Sequence, residues 1–97
     1  MRSKYEVKAQ KDLVKEGYFV DNKAGMGRWA KNRDFFNLFD LVAVKKGEPL
    51  RWISIKGKQG IPPLHRKEIE AFWLPPNNVK EIWKRSMGKE YWYKQII

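Results

Sequence analysis

Apolar residues recur along this chain at two periods, and the changes between them divide it into helices and strands. In residues 4 to 16 Tyr5, Ala9 and Leu13 repeat every fourth position and Val14 widens the stripe. Lys8, Lys11, Asp12 and Lys15 fall outside it, as in an amphipathic helix. Ser3 can cap the start with Glu6 at the capping-box position, and Gly17 closes the helix as a C′ residue. Tyr18 to Asp21 reads as a short strand. Period two then governs Phe39 to Lys45 and Leu50 to Lys56, joined by Lys46-Gly47-Glu48-Pro49, and this predicts a β-hairpin. On its second strand Trp52, Ser54 and Lys56 share one face, while Arg51, Ile53 and Ile55 point the other way.

After the breaker-rich link Lys58-Gln59-Gly60-Ile61-Pro62-Pro63, Leu64 to Trp73 predicts a second helix with Ile69, Phe72 and Trp73 on one face. Glu68 and Glu70 flank that stripe on opposite sides. Leu74-Pro75-Pro76-Asn77-Asn78 ends the helix. Val79 to Arg85 and Glu90 to Ile97 read as a terminal hairpin turning at Met87-Gly88, with a helix over 78 to 86 as the competing assignment. The predicted order is α-β-β-β-α-β-β, without internal repeats.

Ninety-seven residues fit a single domain, 1–97. With 42% hydrophobic residues, five Trp and five Phe, the chain can bury a core, which excludes wholesale disorder. The absence of cysteine excludes disulfides and thiolate metal sites. No apolar run approaches the roughly 20 residues of a membrane span, and Met1 to Asp12 lack the apolar region of a secretory signal. The expectation is a cytoplasmic, soluble protein that does not engage membranes. Neither helix combines a large apolar face with a basic one, which argues against a membrane-surface role.

Charge changes the picture most. Lys and Arg number 21 against 11 Asp and Glu, a formal net charge of +10, and such a field favours polyanions, nucleic acid first. Asn22 to Leu38 is long and polar for a connection, and carries Lys23, Arg28, Lys31 and Arg33 around Trp29. Cations there can contact phosphates and the indole can stack on a base. The bland alternative is a surface loop with Trp29 tucked onto the core. Gly25 and Gly27 lack the third glycine and following helix of a dinucleotide fingerprint. Lys58 adds a cation after the hairpin. His65, the sole histidine, is expected to be solvated at the start of the second helix.

The hairpin places Asp40 and Lys56 on neighbouring strands. A surface ion pair would explain that pairing. Metal-dependent phosphodiester hydrolysis would too, since Mg²⁺ takes one or two carboxylates with water and substrate phosphate. The element order, with Asp40 in Phe39-Asp40-Leu41 and Lys56 in Ile55-Lys56-Gly57, resembles the PD-(D/E)XK nuclease superfamily, most of all the archaeal Holliday junction resolvases. Glu6 matches the helix-borne Glu of those enzymes, Gly17-Tyr18-Phe19 their strand start, and Lys23 to Arg33 their basic loop. The resemblance implies a restriction-endonuclease-like mixed central sheet flanked by helices. It further implies an endonuclease using Mg²⁺ (or Mn²⁺) on duplex or branched DNA, working as a homodimer and encoded by a host, a virus or a plasmid.

One position departs from the pattern. Ser54 stands where the family has its second acid. In some restriction-enzyme relatives a Glu from the next helix fills that place, which nominates Glu70, with Glu68 as the fallback. The implied site is therefore Asp40, Glu70 and Glu6 as metal ligands, with Lys56 beside them and Ser54 contributing a hydrogen bond. The alternative is a catalytically degenerate nucleic-acid-binding protein on the same fold.

Overall fold

The computed structural model describes residues 4–22, 35–36, 38–57, 61–85 and 91–97. Two helices and a five-stranded sheet make up a mixed α/β fold. The order is α1 (Lys4–Lys15), β1 (Phe19–Asn22), β2 (Leu41–Val44), β3 (Leu50–Lys56), α2 (Pro63–Ala71), β4 (Asn78–Arg85) and β5 (Trp92–Ile96). The strands lie side by side in chain order. β1–β2, β2–β3 and β4–β5 are antiparallel, while β3 and β4 run parallel because α2 carries the chain back between them.

Alternation along the central strands sorts the core into two layers. Leu41, Ala43, Ile53, Ile55 and Trp83 pack with Ala9 and Leu13 of α1. Ile82 packs with Ile69 of α2 and with Leu38 and Phe39 on the opposite face. Glu81, Ile82 and Trp83 are all buried, so residues 78 to 85 present two covered faces. That is a central strand, and it resolves the helix-or-strand alternative in favour of strand.

Several boundaries differ from the sequence expectation by one or two residues, and two have a visible local setting, while the β2–β3 turn falls where expected. Gly17, at φ +94°, donates to the Val14 carbonyl at 3.0 Å while the Tyr18 amide donates to Leu13 at 3.1 Å. This pair of bonds is a Schellman closure. It occupies Tyr18, so β1 begins one residue later, at Phe19. α2 stops at Ala71, where Phe72 turns to extended backbone (φ −72°, ψ 118°), and the Lys80 ammonium takes the carbonyls of Ile69, Glu70 and Phe72 at 2.7, 2.9 and 2.8 Å. Trp73 therefore leaves the helical face and is exposed. In the β2–β3 turn, Glu48 donates to the Lys45 carbonyl at 3.0 Å and Gly47 supplies the positive φ, +85°.

No helix among the described residues is long and apolar enough to cross a membrane.

Candidate functional site

The start of β2 and the end of β3 lie at the same end of the sheet, and Asp40 stands between them. Its amide donates to the Ile53 carbonyl at 2.9 Å. Its carboxylate Oδ2 accepts the Ile55 amide at 2.6 Å. A side chain thus satisfies a β3 amide at the edge of the ladder, one residue before Lys56. Lys56 itself makes no ion pair among the described residues. The carboxylate is bound to backbone rather than paired with Lys56, so the surface ion pair is not what joins the two strands here.

An aromatic cluster fixes the approach to Asp40. Phe35 and Phe39 form an isolated bridge that closes a tight turn, with Phe36 at φ +56°. Such a conformation is unusual for a bulky residue and persists only where surroundings hold it. Phe36 stacks near Phe72 (4.9 Å) and Trp52 (5.6 Å), and Trp52 also meets Phe35 and Phe39, each at 5.9 Å. The Trp52 indole donates to Asn78 Oδ1 at 2.9 Å, which ties the cluster to the start of β4.

The first turn of α1 reaches the same end. A Cβ on Gly57 would lie 3.2 Å from the Tyr5 ring, so glycine here permits close approach of the helix that carries the half-buried Glu6. Glu6, Asp40 and Lys56 consequently sit around one end of the sheet. Ser54 faces the α2 layer beside Ile82 in register. It is 0% exposed, and its Oγ has no hydrogen-bond partner among the described residues.

Glu70, on α2, shows no contact with Asp40 or Lys56 among the described residues. It is exposed and pairs with Arg66 at 3.1 Å, whose guanidinium also donates to Gln95 of β5 at 2.5 Å. These contacts engage Glu70 with Arg66, and through it with β5, among the described residues. Glu68 is also exposed. No group of three acidic or histidine side chains gathers as a metal cluster among the described residues. His65 is half-buried rather than solvated. Lys23, Arg28, Trp29, Lys31, Arg33 and Lys58, with Ser3 and the Met87-Gly88 turn, lie outside the described residues.

Two features went unread in the sequence. Arg51 and Glu81 form a bidentate pair, Nε to Oε2 at 2.6 Å and Nη2 to Oε1 at 2.7 Å, while the Trp83 indole donates to Oε1 at 2.9 Å. The guanidinium lies over Tyr18 at 4.9 Å, and its hydrogen bonds to Glu81 hold its pKa above the ordinary value despite burial. The alternation of β4 placed Glu81 on a core face, the one available clue. The second feature is that Lys56 and Lys84 are register partners across the parallel pair, and Lys84 in turn partners Tyr93. Neither lysine has an acidic partner among the described residues. Two adjacent cations without a counter-charge suit an anionic ligand.

No protein-family model and no curated protein sequence matches the chain.

Proposed function

We propose that this protein is a metal-dependent DNA endonuclease of the PD-(D/E)XK type, hydrolysing phosphodiester bonds at the Asp40–Lys56 end of its sheet. The observation that carries this reading is the bond between Asp40 Oδ2 and the Ile55 amide. It anchors a carboxylate one residue from a lysine that has no ion pair among the described residues.

The donor chemistry fits a hard divalent cation. Asp40 and Glu6 offer carboxylate oxygens at one end of the sheet, and Mg²⁺ is commonly held by one or two carboxylates with water and substrate phosphate completing its shell. Asp40 and Glu6 would hold Mg²⁺ or Mn²⁺. When bound, the ion supplies an acidified water and offsets charge that builds on the phosphate.

The protein's own part is positioning. Asp40 is locked by two backbone bonds and the aromatic turn before it. Lys56 places a positive charge where the phosphate must lie and orients the attacking water. Lys84, next to it in register, holds a neighbouring phosphate. Catalysis here needs Asp40, Lys56 and Glu6, and the acid of α2 takes no part. Cleavage of both strands of a duplex or branch would call for two copies of the chain.

The test is cleavage of labelled four-way and linear duplex DNA with Mg²⁺ or Mn²⁺, comparing the wild type with Asp40→Asn and Lys56→Ala. The variants should bind DNA and leave it intact. An absence of cleavage by the wild type on every substrate would overturn the enzymatic reading.

A second reading has one observation in its favour. Ser54, where a second acid would stand, is fully buried and uncharged. A protein with that substitution can retain DNA binding without hydrolysis, as a nucleic-acid-binding module of the same fold.

A further inference from the structure

Beyond the Asp40 end, a cleft of about 410 Å³ opens on the α2 face of β4 and β5, lined by Ile61, Ile82, Lys84, Tyr93, Lys94 and Gln95. Its volume falls in the range of roughly 300–1,000 Å³ usual for small-ligand sites. Its floor is apolar, Lys84 stands at its rim, and no acidic residue lines it among the described residues. Tyr93 is 51% exposed. Tyr91 braces it edge-to-face at 5.1 Å, with the two hydroxyls 2.8 Å apart.

The cleft is continuous with the site. Lys56, Lys84 and Tyr93 occupy successive register positions on β3, β4 and β5, so they form one row across the sheet. A phosphate held at Lys56 leads to a second at Lys84, and the next station along the row is an aromatic ring.

We infer that this row is a subsite for an unpaired nucleotide, with its phosphate on Lys84 and its base stacked on Tyr93 over the Ile61–Ile82 floor. Bases inside a duplex are already stacked on both faces, so an aromatic station selects single-stranded or splayed DNA. The inference rests on the nuclease reading for the position of the adjoining phosphate. It adds the substrate feature recognised, a branch or end with at least one unpaired base.

Fluorescence anisotropy in EDTA, where no cleavage occurs, tests it. The probes are a blunt duplex and a duplex of the same length ending in a splayed oligothymidine arm. The wild type should bind the splayed probe more tightly. Tyr93→Ala should lose about tenfold on that probe, a typical stacking contribution, while its affinity for the blunt duplex stays unchanged. Tyr93→Phe should behave as the wild type. Lys84→Ala should weaken splayed-probe binding and reduce its salt dependence by about one ion contact. Equal affinity of the wild type for both probes, or full retention of the preference in Tyr93→Ala, overturns the subsite and leaves the nuclease reading standing. If the wild type binds neither probe, both fail together.

Discussion

Asp40 and Ile55 are joined side chain to backbone, the carboxylate accepting the amide at 2.6 Å. The bond closes the β2–β3 ladder where β2 has run out, so the residue proposed to hold the metal also holds the strand that presents Lys56. Asp40→Ala should leave the Ile55 amide unsatisfied and cost about 1–3 kcal/mol. Asp40→Asn keeps an acceptor and should cost less. Urea unfolding of the two variants gives the comparison, and equal losses would show that the bond carries little stability.

Ser54→Ala tests the opposite case. The hydroxyl is buried without a partner among the described residues, so its removal should leave stability unchanged or raise it by up to about 1 kcal/mol. DNA cleavage should be unaffected, since Ser54 is given no chemical role. A large loss of cleavage in this variant would assign the hydroxyl to the site.

The Arg51–Glu81 pair is buried on the α1 side, with Glu81 3% exposed. Breaking such a pair from one side leaves a charge without compensation, so Glu81→Leu should cost about 3–5 kcal/mol. The double variant Arg51→Met/Glu81→Leu should recover much of that loss. Thermal melts of the single and double variants measure the coupling.

Asp12 links α1 to β5. Burial pushes its carboxyl up, but the Trp92 indole bond and the charges of Lys8 and Lys15 outweigh this, so the net pKa lies below the ordinary 3.8. A lowered pKa in the folded state adds stability that is fully present above the unfolded value and is lost as pH falls through the folded one. The stability gap between the wild type and Trp92→Phe should therefore be constant near neutrality and shrink once the pH drops below about 4. Unfolding midpoints measured from pH 7 to pH 2 give the profile. A gap independent of pH would mean that the indole's packing, and not its bond to Asp12, carries the effect.

The element order was legible because periodicity separates α1 and the β2–β3 hairpin from their neighbours, while β4 read as strand or helix until its two covered faces settled it. Gly17 and Gly47 were readable as punctuation, since each occupies a positive φ that other residues adopt reluctantly. The early end of α2 was not legible. The carbonyls freed there are taken by Lys80, a partner from β4 that no local pattern announces. The partner of Glu70 was not legible either. Sequence spacing gives the distance along a helix, whereas Arg66 reaches Glu70 and also Gln95 of β5, a strand far along the chain. The hairpin put Asp40 near Lys56 in the sequence reading, but the backbone amide between them could not be foreseen, because it arises where β2 stops short of its partner. The Lys56–Lys84–Tyr93 row needed the parallel register of β3 and β4, which no local pattern encodes.

The central claim is that Asp40 and Lys56 support phosphodiester hydrolysis, and nicking of supercoiled plasmid in Mn²⁺ tests it most directly. The wild type should convert supercoiled to open-circular DNA. EDTA should stop the conversion, and Asp40→Asn should abolish it while the protein stays folded and still retards the plasmid on a gel. Nicking by Asp40→Asn at the wild-type rate would contradict the account.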